Sequence, residues 1–333
     1  MSFFLKLFET PENILRRLLC VFITAALAAG TARAYGPQCE LSDSFKTTFE
    51  ASEPVATTLP PPVPQVVQGP PLDEAIDAFI KKMRREGLLA RDERTAWSVY
   101  DISRDVELAG INQDEPLQTA SLIKPFIALA YFDAVAAGKK EYTPQARRKM
   151  ELMIRDSDNA AADWFLRELG GPAAVQKNLK AKFPGMLQGL SLVEYIPKSG
   201  RTFRNKASVH DYTRFLHDLC AETLPSSAEI KRVMQLPKRN RLLQHAKEVP
   251  TDTALYDKTG STSRLCGDMG ILVAHGKDGR DYPYILVGVI QKGGQARHYM
   301  SWIHRRGDLI REVSNMAYKA IAARYGLLTA SDH

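Results

Sequence analysis

The sequence predicts an α+β protein on three observations: two short alternating strands early in the chain, a long central run of helical patterns, and two further strands closed by a helix. The early strands are Trp97-Ser98-Val99-Tyr100 and Val106-Glu107-Leu108-Ala109, with polar Ser103-Arg104-Asp105 between them. A helix over Leu72–Leu89 precedes them, carrying Ile76, Phe79, Ile80 and Met83 on one stripe. Helical patterns then cover Ser121–Ala137, Pro144–Arg155, Ala160–Leu169, Val209–Cys220 and Ala228–Leu236. Strands Asp268–Ala274 and Tyr284–Gln291 flank His275–Arg280, where Gly276 and Gly279 suit a hairpin turn. A helix from Met300 to about Arg324 ends the pattern. No terminal strand can bury its apolar face alone, so these strands must share a sheet.

The ends and the composition bound the setting. Arg16-Arg17 precede an apolar run from Leu18 to Gly30, and Ala32-Arg33-Ala34 follows, the three parts of a secretory signal peptide over residues 1–34. As a helix that run rises about 20 Å, short for a bilayer, so cleavage is expected over retention as an anchor. Residues 35–71 form a linker, with TTLPPPVPQVVQGPP from Thr57 to Pro71 favouring extended backbone. The folded domain is expected over 72–328, exported to the periplasm or beyond and monomeric. The 333 residues are 44% hydrophobic, and the net charge of +7 is spread without the interleaved basic and aromatic clusters of a nucleic-acid binder. Cys39, Cys220 and Cys266 remain after cleavage. Cys220–Cys266 could pair, and buried free thiols are the alternative.

Three short segments carry chemistry together. Ser121-Leu-Ile-Lys124 opens an apolar helix, Ser157-Asp-Asn159 lies where a second helix gives way to the next, and Lys258-Thr-Gly260 stands before the closing strands. Positions i and i+3 share a helix face, so Lys124 can approach the Ser121 hydroxyl. A serine needs a base, and a lysine serves once burial and neighbouring cations lower its pKa. The flanking Leu122, Ile123, Phe126 and Ile127 supply that burial. Pro125 is tolerated only near a helix start, which puts the start around Ser121. Asp158 reads as a helix cap.

In this order the motifs resemble those of the class A β-lactamases and penicillin-binding proteins. The likeness extends over about Leu72–Gly326 and takes in Asp114-Glu-Pro116, Ala120-Ser121, Gly170-Gly-Pro172 and a substrate-edge strand over Tyr256–Val273. It implies an antiparallel sheet flanked by helices, with an inserted all-helical subdomain. It also implies a Ser121 acyl-enzyme with Lys124 as base, formed on a β-lactam ring or on a peptidoglycan stem peptide. Ser157 would pass a proton to the leaving nitrogen, and Asn159 would bind the substrate amide. Lys258 and Thr259 would hold the substrate carboxylate, and the Ser261 amide would complete an oxyanion hole with that of Ser121.

Two features depart from the class A pattern. The glutamate that activates the deacylating water usually stands in an E-x-x-L-N string, which this chain lacks. Glu194 lies at about the right distance after Ser157, and is either that base or a loop carboxylate paired with Arg201 or Arg204. The run from Lys124 to Ser157 is also short, which implies an open cleft. A Ser-His-Asp hydrolase is excluded because no G-x-S-x-G occurs, and Lys258-Thr259 lacks the glycine run of a phosphate loop. Two turns separate His210 from His217, and no cluster has zinc-ligand spacing, so no metal or cofactor is expected. A weakly catalytic peptidoglycan-binding module is the reading outside enzymology, though a binder need not keep all four of Ser121, Lys124, Ser157 and Lys258.

Overall fold

A computed structural model describes residues 70–196 and 203–327. The signal segment, nearly all of the linker, Cys39 and Arg201 lie outside the described residues. Helix α1 (Leu72–Arg85) leads into strands β1 (Glu93–Asp101) and β2 (Val106–Ile111). A two-residue strand β3 (Leu117–Gln118) comes next. Helices α2 (Lys124–Ala136), α3 (Pro144–Ile154), α4 (Asn159–Glu168) and α5 (Pro172–Lys182) follow. Strand β4 (Lys206–Ala207) precedes α6 (Val209–Cys220) and α7 (Ser227–Gln235). The chain closes with β5 (Ala254–Thr262), β6 (Leu265–His275), β7 (Asp281–Lys292) and α8 (Tyr299–Tyr325).

One antiparallel sheet runs in the order β2-β1-β7-β6-β5, so the ends of the domain meet in it through β1 and β7. Alternate residues of β7 serve different cores. Ile285, Val287 and Val289 face the helices of the central segment, while Tyr284, Leu286 and Ile290 pack with α1 and α8. A sheet covered on both faces needs apolar side chains in both registers, which is why these strands read as continuous apolar runs. The expected α+β arrangement, with helices inserted between the early and late strands, is therefore the observed one.

Several boundaries differ from the sequence expectation. Tyr256–Val273 is two strands rather than one, joined by a turn at 263–264, and Lys258-Thr-Gly260 lies inside β5 instead of before the strands. Helix α5 had no counterpart in the periodicity, because its buried stripe is only Pro172, Val175 and Leu179. Cys220 and Cys266 are both free thiols, the former at the end of α6 and the latter buried in β6. Their pairing is ruled out in this fold, and burial pushes the Cys266 thiol up to about 11.

Candidate active site

Ser121 does not sit in an α-helical turn. Ala120–Ile123 form a 3-10 turn, and the α-helix begins at Lys124. The cause is Pro125. In an α-helix its amide would donate to the Ser121 carbonyl four residues back, and proline has no amide hydrogen. The Lys124 N–H takes that carbonyl at three residues' separation instead, which is the 3-10 pattern. Ala120 adopts a left-handed φ of 45°, an uncommon state for alanine that marks a constrained entry to the turn.

The turn is pressed against the edge strand. A Cβ on Gly260 would lie 2.7 Å from Leu122 Cγ and 3.1 Å from the Thr119 carbonyl. Only a residue without a side chain lets β5 approach the Ser121 turn this closely. On the other side, the Thr119 amide donates to the Asn205 carbonyl, and β3 pairs with β4, so the strand before the turn is held from two directions.

Lys124 is fully buried. Its ammonium donates to the Ser157 carbonyl, to Ser157 Oγ at 3.2 Å and to Asn159 Oδ1 at 2.8 Å. Burial holds its pKa well below the ordinary lysine value. The Lys258 charge lowers it further, and Asp158 and Asp163 oppose both. Lys258 is also fully buried and donates to Ser157 Oγ at 3.1 Å and to the Thr259 carbonyl at 2.9 Å. Burial lowers it to about 8, with Asp257 acting against that shift. One hydroxyl therefore lies between two lysines of depressed pKa. Ser157 has a left-handed φ of 58°, and the next residue caps α4 through Asp158 Oδ1, which accepts from the Ala161 amide at 2.6 Å.

A buried ionic layer lies behind the edge strand. Asp257 accepts from Lys238 Nζ at 2.8 Å. Asp268, opposite Thr259 in the β5–β6 ladder, accepts from the Arg241 amide at 2.7 Å. Burial raises the pKa of both carboxyls, so the pair holds a proton more tightly than free carboxylates do. The Arg241 guanidinium donates to Ser261 Oγ at 2.7 Å and to the Gly267 carbonyl at 3.0 Å. Arg241 thus lies along the strand end that carries Thr259 and Ser261.

Glu194 is bound into its own loop. Its Oε1 accepts from the amides of Phe203 at 2.7 Å and Arg204 at 2.8 Å, and its Oε2 lies 3.9 Å from Arg204 Nε. Buried Asn205 fastens the same loop, accepting from the Val193 and Glu194 amides and donating to the Glu194 carbonyl at 3.0 Å. The loop also touches α4, where the Arg167 guanidinium lies over the Tyr195 ring. The Ile196 amide donates to Asp163 Oδ1 at 2.7 Å, and Asp163 follows Asn159 by one helical turn. Ile196 is itself buried.

Lys124, Ser157, Asn159 and Lys258 are thus brought into direct contact, and the Ser121 turn packs on the strand bearing Thr259 and Ser261. Ser121 Oγ makes no hydrogen bond to Lys124 among the described residues, where the i,i+3 spacing alone suggested approach. Sequence reasoning missed Asp163, Asn205 and Arg241. The spacing of Asp163 from Asn159 on one helix face could have revealed the first. The other two act across the fold and carry no local signal. Among the described residues no group of three or more His, Cys, Asp or Glu side chains could hold a metal ion.

A serine on a tight turn packed against a sheet edge, on a fold that also brackets a second serine hydroxyl with two buried lysines, fits a penicillin-recognising serine hydrolase. The family described as the beta-lactamase enzyme family matches residues 72–147 and 141–321, and the chain belongs to it. Among solved structures it is similar to PBP-A, with 19% identity and a TM-score of 0.60 over 78% of this chain and 98% of that one. It is also similar to an ancestral class A β-lactamase, with 20% identity and a TM-score of 0.60 over 75% of this chain and 99% of that one. A variant of PBP-A, solved as an acyl-enzyme complex with penicillin G, gives 19% identity and a TM-score of 0.58 over 75% of this chain and 96% of that one. No curated protein sequence matches.

Proposed function

We propose that this protein is an exported serine acyl hydrolase that cleaves amide bonds of peptidoglycan stem peptides, and that β-lactams acylate the same serine as substrate mimics. The observation that carries this reading is the Ser157 hydroxyl held between Lys124 and Lys258, with Lys124 buried and biased toward its neutral form. Neutral Lys124 takes the Ser121 hydroxyl proton, directly or through one water, as Oγ bonds to the substrate carbonyl carbon. The amides of Ser121 and Ser261 stabilise the resulting oxyanion. The proton travels from Lys124 through Ser157 Oγ to the leaving nitrogen, and the C–N bond breaks to leave an ester on Ser121. Water then cleaves the ester to a carboxylic acid and restores the serine. Protonated Lys258, Thr259 and Arg241 attract the substrate carboxylate, and Asn159 holds its amide.

The second reading, hydrolysis of β-lactams as the main activity, uses the same acylation chemistry and differs in release. It requires a free carboxylate beside the ester. The amide hydrogen bonds and Arg204 contact that hold Glu194 in its own loop favour the peptide reading, with a slowly released β-lactam ester. Export rests on the signal pattern over residues 1–34 and the linker over 35–71. Within the described residues no helix is long and apolar enough to cross a membrane.

Fluorescent penicillin followed by a chase with unlabelled drug separates these readings. The expected result is a persistent label on the wild type, absent from Ser121→Ala and unchanged in lifetime in Glu194→Ala. Rapid turnover that Glu194→Ala abolishes would assign the protein as a β-lactamase. A wild type that takes no label would remove both readings.

A further inference from the structure

A cavity of about 470 Å³ lies between α6, the β1–β2 hairpin and the 183–186 turn, and shares no lining residue with the serine site. One wall is a stripe of α6. His210, Thr213, Arg214 and His217 fall at i, i+3, i+4 and i+7, which puts them on one helix face. The two-turn spacing that keeps the histidines from sharing a metal thus sets one at each end of the stripe. Phe183 and Met186 add an apolar wall, and Tyr100 and Glu107 come from the hairpin.

The polar side chains of this lining are held by partners behind them. His210 Nδ1 donates to Asp114 Oδ1 at 2.8 Å, which fixes the ring and leaves Nε2 for another partner. Arg214 donates from Nε to the Met186 carbonyl and from Nη2 to Asp211, each at 2.9 Å. Its Nη1 has no partner among the described residues. His217 lies 3.2 Å from Asp105 and 3.4 Å from Asp218, and meets the Tyr100 ring edge to face. The Tyr100 hydroxyl donates to the same Asp105 at 2.6 Å. Glu107 is exposed and accepts only from Gln113, at 3.4 Å, among the described residues. Side chains ordered before a ligand arrives lose less freedom in binding it.

Both signs of charge share the wall. The Glu107 and Asp218 carboxylates stand against the Arg214 guanidinium and the two imidazoles, so an ion of either sign would meet its own sign there. What the wall offers is acceptors and donors together, beside the aromatic rings of Tyr100 and Phe183. A sugar matches that mixture, because each hydroxyl both donates and accepts, and the C–H face of its ring packs on an aromatic one. The volume falls in the range of small-molecule sites, about 300–1,000 Å³. We infer that this cavity is a binding site for a neutral saccharide, a mono- or disaccharide unit. Its hydroxyls donate to Glu107 and Asp218 and accept from Arg214 Nη1, while Phe183 and Met186 cover its apolar side. Binding here does not depend on what Ser121 cleaves.

The test titrates diacetylchitobiose, a neutral disaccharide, into the full chain by isothermal calorimetry. Its deacetylated form, which is cationic, and digalacturonate, which is anionic, are run beside it. The neutral sugar is expected to bind about tenfold more tightly than either, the scale of one charge-assisted contact. Gly185 lines the cavity, and a Cβ there would meet nothing within 4 Å, so the fold admits a side chain that fills the space. Gly185→Leu should abolish sugar binding and leave the melting temperature and penicillin labelling of Ser121 as they were. Glu107→Ala, at an exposed position, should weaken binding about tenfold. No binding of the neutral sugar, equal or tighter binding of a charged analogue, or either variant folding and binding as the wild type does would overturn the inference. Sugar binding that is lost once penicillin has acylated Ser121 would also overturn it, by placing the sugar in the serine site.

Discussion

Pro125 and Gly260 show how single residues set the turn that carries Ser121. Proline denies the Ser121 carbonyl its α-helical donor, and glycine lets the edge strand close on the resulting turn. Gly260→Ala is therefore expected to push Leu122 and the turn outward and slow acylation of Ser121 strongly, with little change in far-ultraviolet circular dichroism. Lys124→Ala should cost about 10²–10⁴ in acylation rate, the usual worth of a positioned base, measured by stopped-flow labelling. The pH profile follows from Lys258. Its pKa is depressed to about 8, so the charge that attracts a carboxylate is present below that pH and is lost as pH rises through it. Acylation by carboxylate-bearing substrates should accordingly fall above about pH 8. Lys258→Arg, which stays protonated, should move that fall to higher pH even if it lowers the maximum rate.

The residues of the candidate site stood out in the sequence because Ser121, Lys124, Ser157 and Lys258 fall in short, ordered motifs. Their local structure was less legible. Periodicity alone hid strand β5, because charged Asp257 and Lys258 look like loop residues, while the resemblance ran it together with β6. Both are buried, and the partner of Asp257 is Lys238, nineteen residues earlier in the chain. The start of α2 was offset by three residues because a helix pattern does not distinguish a 3-10 turn from an α-helical one. The loop around Glu194 has no periodicity at all. Side chains from elsewhere, Asn205 and Asp163, fix its shape. At this scale the closing helix is anchored to β1 by a buried pair: Arg306 donates to Glu93 from Nε at 2.7 Å, and Trp302 Nε1 adds a bond at 2.5 Å. Removing one partner strands the other charge, so Glu93→Ala is expected to destabilise the fold by about 3–5 kcal/mol in urea unfolding.

Among the described residues, two apolar cores lie on opposite faces of the sheet. The general architecture was readable from strands early and late with helices between, since that order forces the late strands back onto the early ones. The ionic layer behind β5 and the cavity along α6 were not readable, because each draws on segments far apart in sequence. A fragment beginning at Leu72 is expected to fold and label with penicillin like the full chain, with a matching melting temperature. A fragment that fails to fold would tie the domain to residues before Leu72.

The account depends most on the acyl-enzyme at Ser121, and intact-protein mass spectrometry after mixing with unlabelled penicillin G tests it most directly. The wild type should gain the mass of one intact penicillin, retained over many minutes and mapped by proteolysis to the peptide containing Ser121, with no gain in Ser121→Ala. An unmodified mass throughout, or an adduct that persists in Ser121→Ala, would contradict it.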